Sequence, residues 1–404
     1  MAPGIRPDKA RRKHQETVGA PATRRTAADI MRICFIAGPG SIHTQRWAAW
    51  FVDRGHEVHL VFPHSFLRPS ALKIDGAVMH PVPTTPVFFK SSHLLLQPID
   101  HFRVKRLISE IQPHVLHAHY VRDYGFRAAE TGFHPLVVTV WGSDVLVDPA
   151  SNRLVRWEVS RTLRKADLIT CDADHVVPAI RGLSGPEADI RIVNFGIDTR
   201  LFAPAPPDAQ LKERLGVEGK RVVISTRSLR PVYDIATLIR TIPRVLRLAP
   251  DAACVIVGGG PENDNLRALA KSLGVADAVH CVGPVPNSQL PAYLCSSDVY
   301  VSTSLSDAGI AASTAEAMAC GLPVVISDFG DNREWVREGE GGYLFPCGDH
   351  EALADRLIRV LGDPQLAAAA ARVNRDTVLQ RCDRDTEMAK MEQCYRELLS
   401  GRAP

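Results

Sequence analysis

Residues 304–327 read SLSDAGIAASTAEAMACGLPVVIS, and the chemistry of this stretch rests on two carboxylates, Asp307 and Glu316, with no side chain larger than Ile310 between them. Counting back from Glu316 at helical spacing puts Ser313, Ala312 and Gly309 on its face, so one stripe of the expected helix carries no bulk above its backbone. A helix beginning at Gly309, after Asp307 and Ala308, would present exposed N–H groups and the positive end of its dipole, a seat for phosphate. Glu316, about two turns on, can accept hydrogen bonds from adjacent ribose hydroxyls. A nucleoside diphosphate suits that spacing. A plainer reading stays open here: small residues let the helix pack closely on its sheet, and Glu316 faces water.

Further polar groups stand where apolar runs end. His119 closes VLHAHY (115–120), and His117 lies on the same face of that strand and competes with it; a satisfied core histidine is the alternative for either. Asp144 ends WGSD (141–144), placed either to orient an acceptor hydroxyl or to cap the next helix. Gly38, Gly40 and Ser41 form a tight strand-to-helix turn, but neither it nor GGGPE (258–262) completes a Gly-x-Gly-x-x-Gly fingerprint, so dinucleotide binding is poorly supported. Asn194, before Phe195 and Gly196, is either a hinge contact to the nucleotide or an ordinary turn asparagine.

The elements that must position these groups alternate between short apolar runs and helix-length amphipathic stretches. MRICFIA (31–37), EVHLVF (57–62), VLHAHY (115–120), LVVTVW (136–141), DLITCD (167–172) and IRIVNF (190–195) read as strands of one domain. After a proline-rich linker at 196–210, RVVIST (221–226), ACVIVGG (253–259), AVHCVG (278–283), VYVST (299–303) and LPVVIS (322–327) repeat the scheme, and three helical stretches follow from about Asp349. Strands spaced by helices imply two doubly wound parallel α/β domains, with the ligand site in the cleft between their C-terminal sheet edges. The expected division is a disordered basic tail (1–30), an N-terminal acceptor domain (31–200), a C-terminal donor domain (201–380), and a terminal helix (381–404) placed to cross back to the first domain.

Composition narrows the class. A chain of 404 residues with 45% hydrophobic content exceeds one ordinary core, and 48 basic against 45 acidic residues leave a charge of +3, too weak to argue for nucleic acid. Nine cysteines without CxxC or metal spacing suggest reduced core thiols in a cytoplasmic protein. No window reaches the roughly 18 apolar residues of a membrane span. The first 30 residues are basic and free of aromatics, consistent with a bland tail, an upstream start codon or a transit peptide. VFFKSSHLLLQ (87–97) is an apolar loop, either covered by packing or facing a lipid or hydrophobic acceptor at the inner face of a membrane.

EAMACGLPVV (316–325) resembles the end of the E-x7-E region of the family 4 glycosyltransferases, retaining enzymes of GT-B fold. The resemblance extends over nearly the whole chain from Met31, through GPGSIHTQRWAAWFVDRGHEVHLV (38–61), VLHAHY (115–120), VNFGIDTRLFAP (193–204) and VIVGGGPE (255–262). It implies two Rossmann-like domains facing a cleft, and a sugar moved from a nucleotide-diphosphate donor of UDP or GDP type to an acceptor hydroxyl with retention. It further implies no metal or cofactor, and His119 lining the donor sugar or acceptor site. RSLRPVY (227–233) resembles the family's diphosphate-binding Arg and Lys pair, with Arg227 matching and Tyr233 in the lysine position; Arg230 is the expected replacement cation. The family's first glutamate falls at Ala308, or at Asp307 with one inserted residue. A sugar-nucleotide epimerase and a non-catalytic sugar-nucleotide-binding protein are the alternatives that one scaffold also permits.

Overall fold

The computed structural model describes residues 29–64, 73–83, 93–307 and 309–401, with residues 64 and 93–100 described by their backbone alone. Strands β1 (Arg32–Ile36), β2 (Glu57–His64), β3 (Val78–Pro83), β4 (Val115–His119), β5 (Leu136–Thr139), β6 (Leu168–Cys171) and β7 (Ile190–Ile192) form one parallel sheet, ordered β3-β2-β1-β4-β5-β6-β7. The second parallel sheet is built from β8 (Arg221–Ser225), β9 (Ala252–Val257), β10 (Val279–Gly283), β11 (Val299–Ser302), β12 (Val324–Ser327) and β13 (Gly342–Phe345), ordered β10-β9-β8-β11-β12-β13. Strands β4, β5, β6 and β9 are buried at every position, as strands covered by helices on both faces must be. This is the expected pair of doubly wound domains.

Strand order reverses between β1 and β4 in one sheet and between β8 and β11 in the other. Beyond the carboxyl ends of such neighbours the connections diverge to opposite faces and leave a crevice. The two crevices face each other.

Two strands went unread in the sequence. β3 carries Pro81 and Pro83 and a mixed exposure pattern, which an edge strand tolerates because half of its backbone groups need no partner. β13 is four residues long and begins at a glycine, too short for a periodic signal. The basic stretch 1–28 and residues 87–92 of the apolar segment 87–97 lie outside the described residues; from His93 the chain enters the helix His93–Ile111. All nine cysteines are free thiols, and Cys347 alone among them is exposed.

After the helices His350–Leu361 and Pro364–Arg381, the last helix, Arg384–Leu399, returns to the first sheet. Its Met388, Met391, Cys394 and Tyr395 complete a core with Ile33, Phe35, Trp47 and Phe51. The Tyr395 hydroxyl meets His117 Nδ1 at 2.5 Å, and Thr139 Oγ1 takes the other ring nitrogen at 2.6 Å. His117 is thereby the satisfied core histidine of its strand. The return passes over Gly196, where φ is +75° and a Cβ would lie 2.8 Å from the Arg384 Cα. Only glycine fits that crossing without displacement.

Candidate functional site

The facing crevices enclose a cavity of about 300 Å³ walled by both domains. From the first domain come Ser41 and His43 after β1, Trp141 and Ser143 after β5, Asp172 after β6, and Phe195 after β7. From the second come Arg227 and Tyr233 after β8, and Ser306, Asp307 and Gly309–Ala312 after β11. Every wall residue follows the carboxyl end of a strand, where a doubly wound sheet delivers its ligand groups.

Arg227 is the cation of this wall, and it is 8% exposed. Its Nη2 donates to Asp307 Oδ1 at 2.7 Å and to Ser304 Oγ at 3.3 Å, while Nη1 reaches Ser313 Oγ at 3.4 Å. The guanidinium carbon lies 4.1 Å from the centre of the Tyr233 ring, so the residue in the lysine position is a platform for the arginine rather than a second cation. Nε finds no acceptor. Arg230 is exposed and lies outside the cavity wall, which corrects the expectation that it joins Arg227.

The small-residue helix also departs from expectation. It runs Ala312–Ala319, three residues later than a start at Gly309, and no side chain caps its first turn. Gly309 and Ile310 belong instead to the approach loop, and a Cβ on Gly309 would lie 3.1 Å from the Asp172 carbonyl oxygen of the other domain. The glycine allows the two domains to touch. Thr314, Ala315, Ala317, Met318 and Ala319 are buried, and the helix packs against Pro364–Arg381, so close packing accounts for much of its composition.

Glu316 does not face water. It is 4% exposed and pairs with Arg46 of the first domain at 2.5 Å, so two buried charges meet across the domain boundary. Burial raises the Glu316 carboxyl above its ordinary range, and the Arg46 charge opposes that rise. The helix carrying Arg46, Ile42–Asp53, is capped by Ser41, whose Oγ accepts from Thr44 N at 3.4 Å. Neither Glu316 nor Ser313 lines the cavity itself; Ser313 accepts from the Tyr300 hydroxyl at 2.7 Å and stands behind Arg227.

His119 is 3% exposed and lies outside the wall, edge-on to Trp47 and Trp141 with ring centres 4.9 and 5.7 Å away. Its Nδ1 meets Thr44 Oγ1 at 3.3 Å and its Nε2 has no partner. Burial, followed by the charge of His43, pushes it down to about 3, so it is neutral at physiological pH. His43, stacked on Trp141 at 4.7 Å, reaches the cavity and is pushed down to about 4 by burial and Arg46.

Asp144 is fully buried, with its carboxylate accepting from Val121 N at 3.0 Å and Trp141 N at 3.1 Å. It is a backbone staple joining the turns after β4 and β5, in place of either expected role, the acceptor contact or the cap on the next helix, whose first turn has no side-chain cap. Burial raises it to about 6 despite those hydrogen bonds. Gly38 lies against Tyr124, Gly40 is exposed, and neither is in the wall. Asn194 ties the hinge to the C-terminal helices, its N donating to Glu387 Oε2 at 2.9 Å and its Nδ2 to Arg381 O at 3.2 Å.

Sequence reasoning missed His43, Phe195 and Asp172. Asp172 was visible only as the last letter of DLITCD, yet it closes a strand at the cleft, and burial raises it to about 7, with Asp144, Asp331 and Asp307 adding to the rise. Its Oδ1 has no hydrogen-bond partner. It also opens one of two Asp-x-Asp triplets in the chain, 172–174 and 383–385. They do not converge: Asp174 N donates to Asp331, Asp385 accepts from Trp50 Nε1, and the described residues hold no cluster of three or more His, Cys, Asp or Glu able to bind a metal.

Two family models divide the chain as its sheets do. Residues 32–173 match Glycosyl transferase 4-like, and residues 208–377 match Glycosyl transferases group 1. The GDP-mannose-dependent alpha-(1-6)-phosphatidylinositol monomannoside mannosyltransferase of Mycolicibacterium smegmatis is 31% identical over 327 residues, covering 76% of this chain and 82% of that enzyme. Among solved structures, the sucrose-phosphate synthase of Thermosynechococcus elongatus superposes with a TM-score of 0.78 at 19% identity, covering 92% of this chain and all of that one. The Anabaena protein HepE, in complex with UDP-glucose, gives 0.75 at 21% identity over 92% of this chain and all of its own. The two facing parallel sheets, the matched models and the mannosyltransferase relative lead to one conclusion: the chain belongs to the family 4 glycosyltransferases of GT-B fold, enzymes that act with nucleotide-sugar donors.

Proposed function

We propose that this enzyme moves a hexose from a UDP- or GDP-type sugar to an acceptor hydroxyl with retention of configuration, without a metal or cofactor. The observation that carries this reading is the buried Arg227, held by Asp307 and stacked on Tyr233, on the wall of a cavity that opens at the uncapped start of the helix Ala312–Ala319. A departing diphosphate needs a fixed cation and free N–H donors, and this corner supplies both. Glu316 is the group for the ribose, in exchange for Arg46. Ser41, His43 and Asp172 stand opposite and face the sugar and the incoming hydroxyl, and domain closure keeps water from competing. His119 supports this wall through Trp141.

The mannosyltransferase relative is named for a GDP-mannose donor and a phosphatidylinositol-based acceptor, and the HepE structure holds UDP-glucose. Both support a hexosyl donor, and the former supports a lipid-linked acceptor met from the cytoplasm at the inner face of a membrane. No helix among the described residues is long and apolar enough to cross a membrane, and the contact proposed here is a peripheral one. The test is incubation with UDP-, GDP- and ADP-sugars and candidate acceptors, with and without EDTA. Acceptor-dependent nucleotide release with an axial product anomer from an axial donor supports the reading. Sugar interconversion without an acceptor, or binding without turnover, overturns it.

A further inference from the structure

We propose that the helix Arg153–Lys165 and the turn before it form the surface by which the protein rests on an anionic phospholipid bilayer. The proposal deepens the peripheral-contact part of the reading above and is independent of the transfer chemistry. The helix buries Val155, Val159, Thr162 and Leu163 against its domain. Its other face carries Arg153, Leu154, Arg156, Trp157 and Arg164, all exposed, with Trp157 at 53% and Leu154 at 50%. At 100° per residue, Arg153, Trp157 and Arg164 fall within about 40° of one another, so indole and cations share one stripe.

Charge decides the occupant. Arg161 and Lys165 are neutralised by Glu130, at 2.7 and 2.8 Å. Arg153, Arg156 and Arg164 have no acidic partner within ion-pair distance among the described residues. Together with Trp157 they border a shallow hollow of about 530 Å³, wide enough for a phosphate headgroup. Unpaired cations around an exposed indole are what an anionic interface takes up: the ring sits at headgroup depth and the cations meet phosphate. A protein partner would instead require acidic side chains against each arginine and a dry apolar centre, and this face has a single ring at its middle.

The apolar rim extends in two directions. Leu146 and Val147, the latter 54% exposed, end the short helix Ser143–Leu146, whose first residue lines the cavity, and the next turn packs against Arg153–Lys165. On the other side the Trp157 ring meets Phe126 at 6.0 Å and Phe126 meets His101 at 5.4 Å, beside Phe102, which is 68% exposed. The surface is therefore connected to the cavity wall at Ser143 through one short stretch of chain.

The test is co-sedimentation of the full chain with phosphatidylglycerol vesicles and with phosphatidylcholine vesicles, for wild type, Arg153→Glu/Arg156→Glu/Arg164→Glu, and Trp157→Ala/Leu154→Ser. Wild type is expected on the anionic vesicles alone, with partitioning weaker by at least about 100-fold for the charge reversals, roughly fivefold for each cation lost before the added repulsion of the carboxylates, and a smaller loss for the apolar pair. Thermal melting and calorimetric UDP and GDP binding should be unchanged in both variants, which separates this surface from the nucleotide site. Equal binding to both vesicle types, undiminished binding by the variants, or a concentration-dependent dimer that the variants abolish would each overturn the proposal.

Discussion

Arg46 and Glu316, 270 residues apart in sequence, form an ion pair across the domain boundary at 2.5 Å, with side chains only 10% and 5% exposed. A pair buried this deeply lacks the screening that makes surface pairs nearly neutral, and losing one member leaves the other charged and unsolvated.

Replacing Glu316 by Gln should therefore act twice. Affinity for UDP or GDP is expected to fall by about 1–3 kcal/mol, the range for a hydrogen bond to a charged group, and thermal stability should fall as Arg46 loses its counter-charge. Adding Arg46→Met should restore most of the stability and none of the affinity. Calorimetry and thermal melting of the two variants read these separately; unchanged nucleotide affinity in Glu316→Gln removes the carboxylate from the ribose.

Arg227 and Asp307 are separable by kinetics. Arg227→Lys loses the fork to Asp307, Ser304 and Ser313 and the Tyr233 stack. A point charge does not replace it, and kcat should drop about 100- to 1000-fold, as when one preorganised donor to a developing charge is removed. Asp307→Asn removes the carboxylate that competes with phosphate for the guanidinium. It should bind UDP or GDP as tightly as wild type or more so, while kcat falls. Weaker nucleotide binding in Asp307→Asn would contradict the assignment.

Gly309→Val tests the domain contact. The added Cβ meets the Asp172 carbonyl at 3.1 Å, tighter than ordinary packing, and the γ carbons add further bulk at the point where the two domains touch. The expected result is a fall of at least tenfold in kcat/KM with a melting temperature within about 2 °C of wild type. Small-angle scattering should show a larger radius of gyration. An unchanged radius together with full activity would mean that the loop moves aside.

The fold was legible because strands covered on both faces announce themselves as continuous apolar runs, and DLITCD or VVIST need no periodicity to be recognised. Edge strands such as β3, and contacts made only by closure, carry no such mark. Nothing in HTQRW distinguishes Arg46 from a solvated helix arginine, because its partner lies in another domain. Asp144 misled for the opposite reason: its position at a strand end suits an acceptor contact, while its carboxylate is consumed by two backbone N–H groups. Arg227, Tyr233 and Asp307, which stand on the cavity wall, were open to sequence reasoning because a local pattern carries them, and Asp172 was not, because its environment comes from burial and from three other carboxylates brought near by folding.

That environment gives Asp172 a signature in pH. Burial first, then the neighbouring Asp144, Asp331 and Asp307, raise its carboxyl from an ordinary value near 3.8 to about 7 in the folded chain. Between those values the folded state holds a proton that the unfolded state has released, so this group makes stability fall as pH rises from about 4 to 7, and the loss persists above 7. Asp172→Asn mimics the protonated form and removes the dependence. Its melting temperature should match wild type near pH 4 and exceed it by several degrees at pH 8, with the difference opening across that window. Melting curves at half-unit pH steps measure it. A constant offset between the two proteins would mean that Asp172 titrates in the fold as it does in the unfolded chain, and that the acidic corner of the cleft is better solvated than its burial implies.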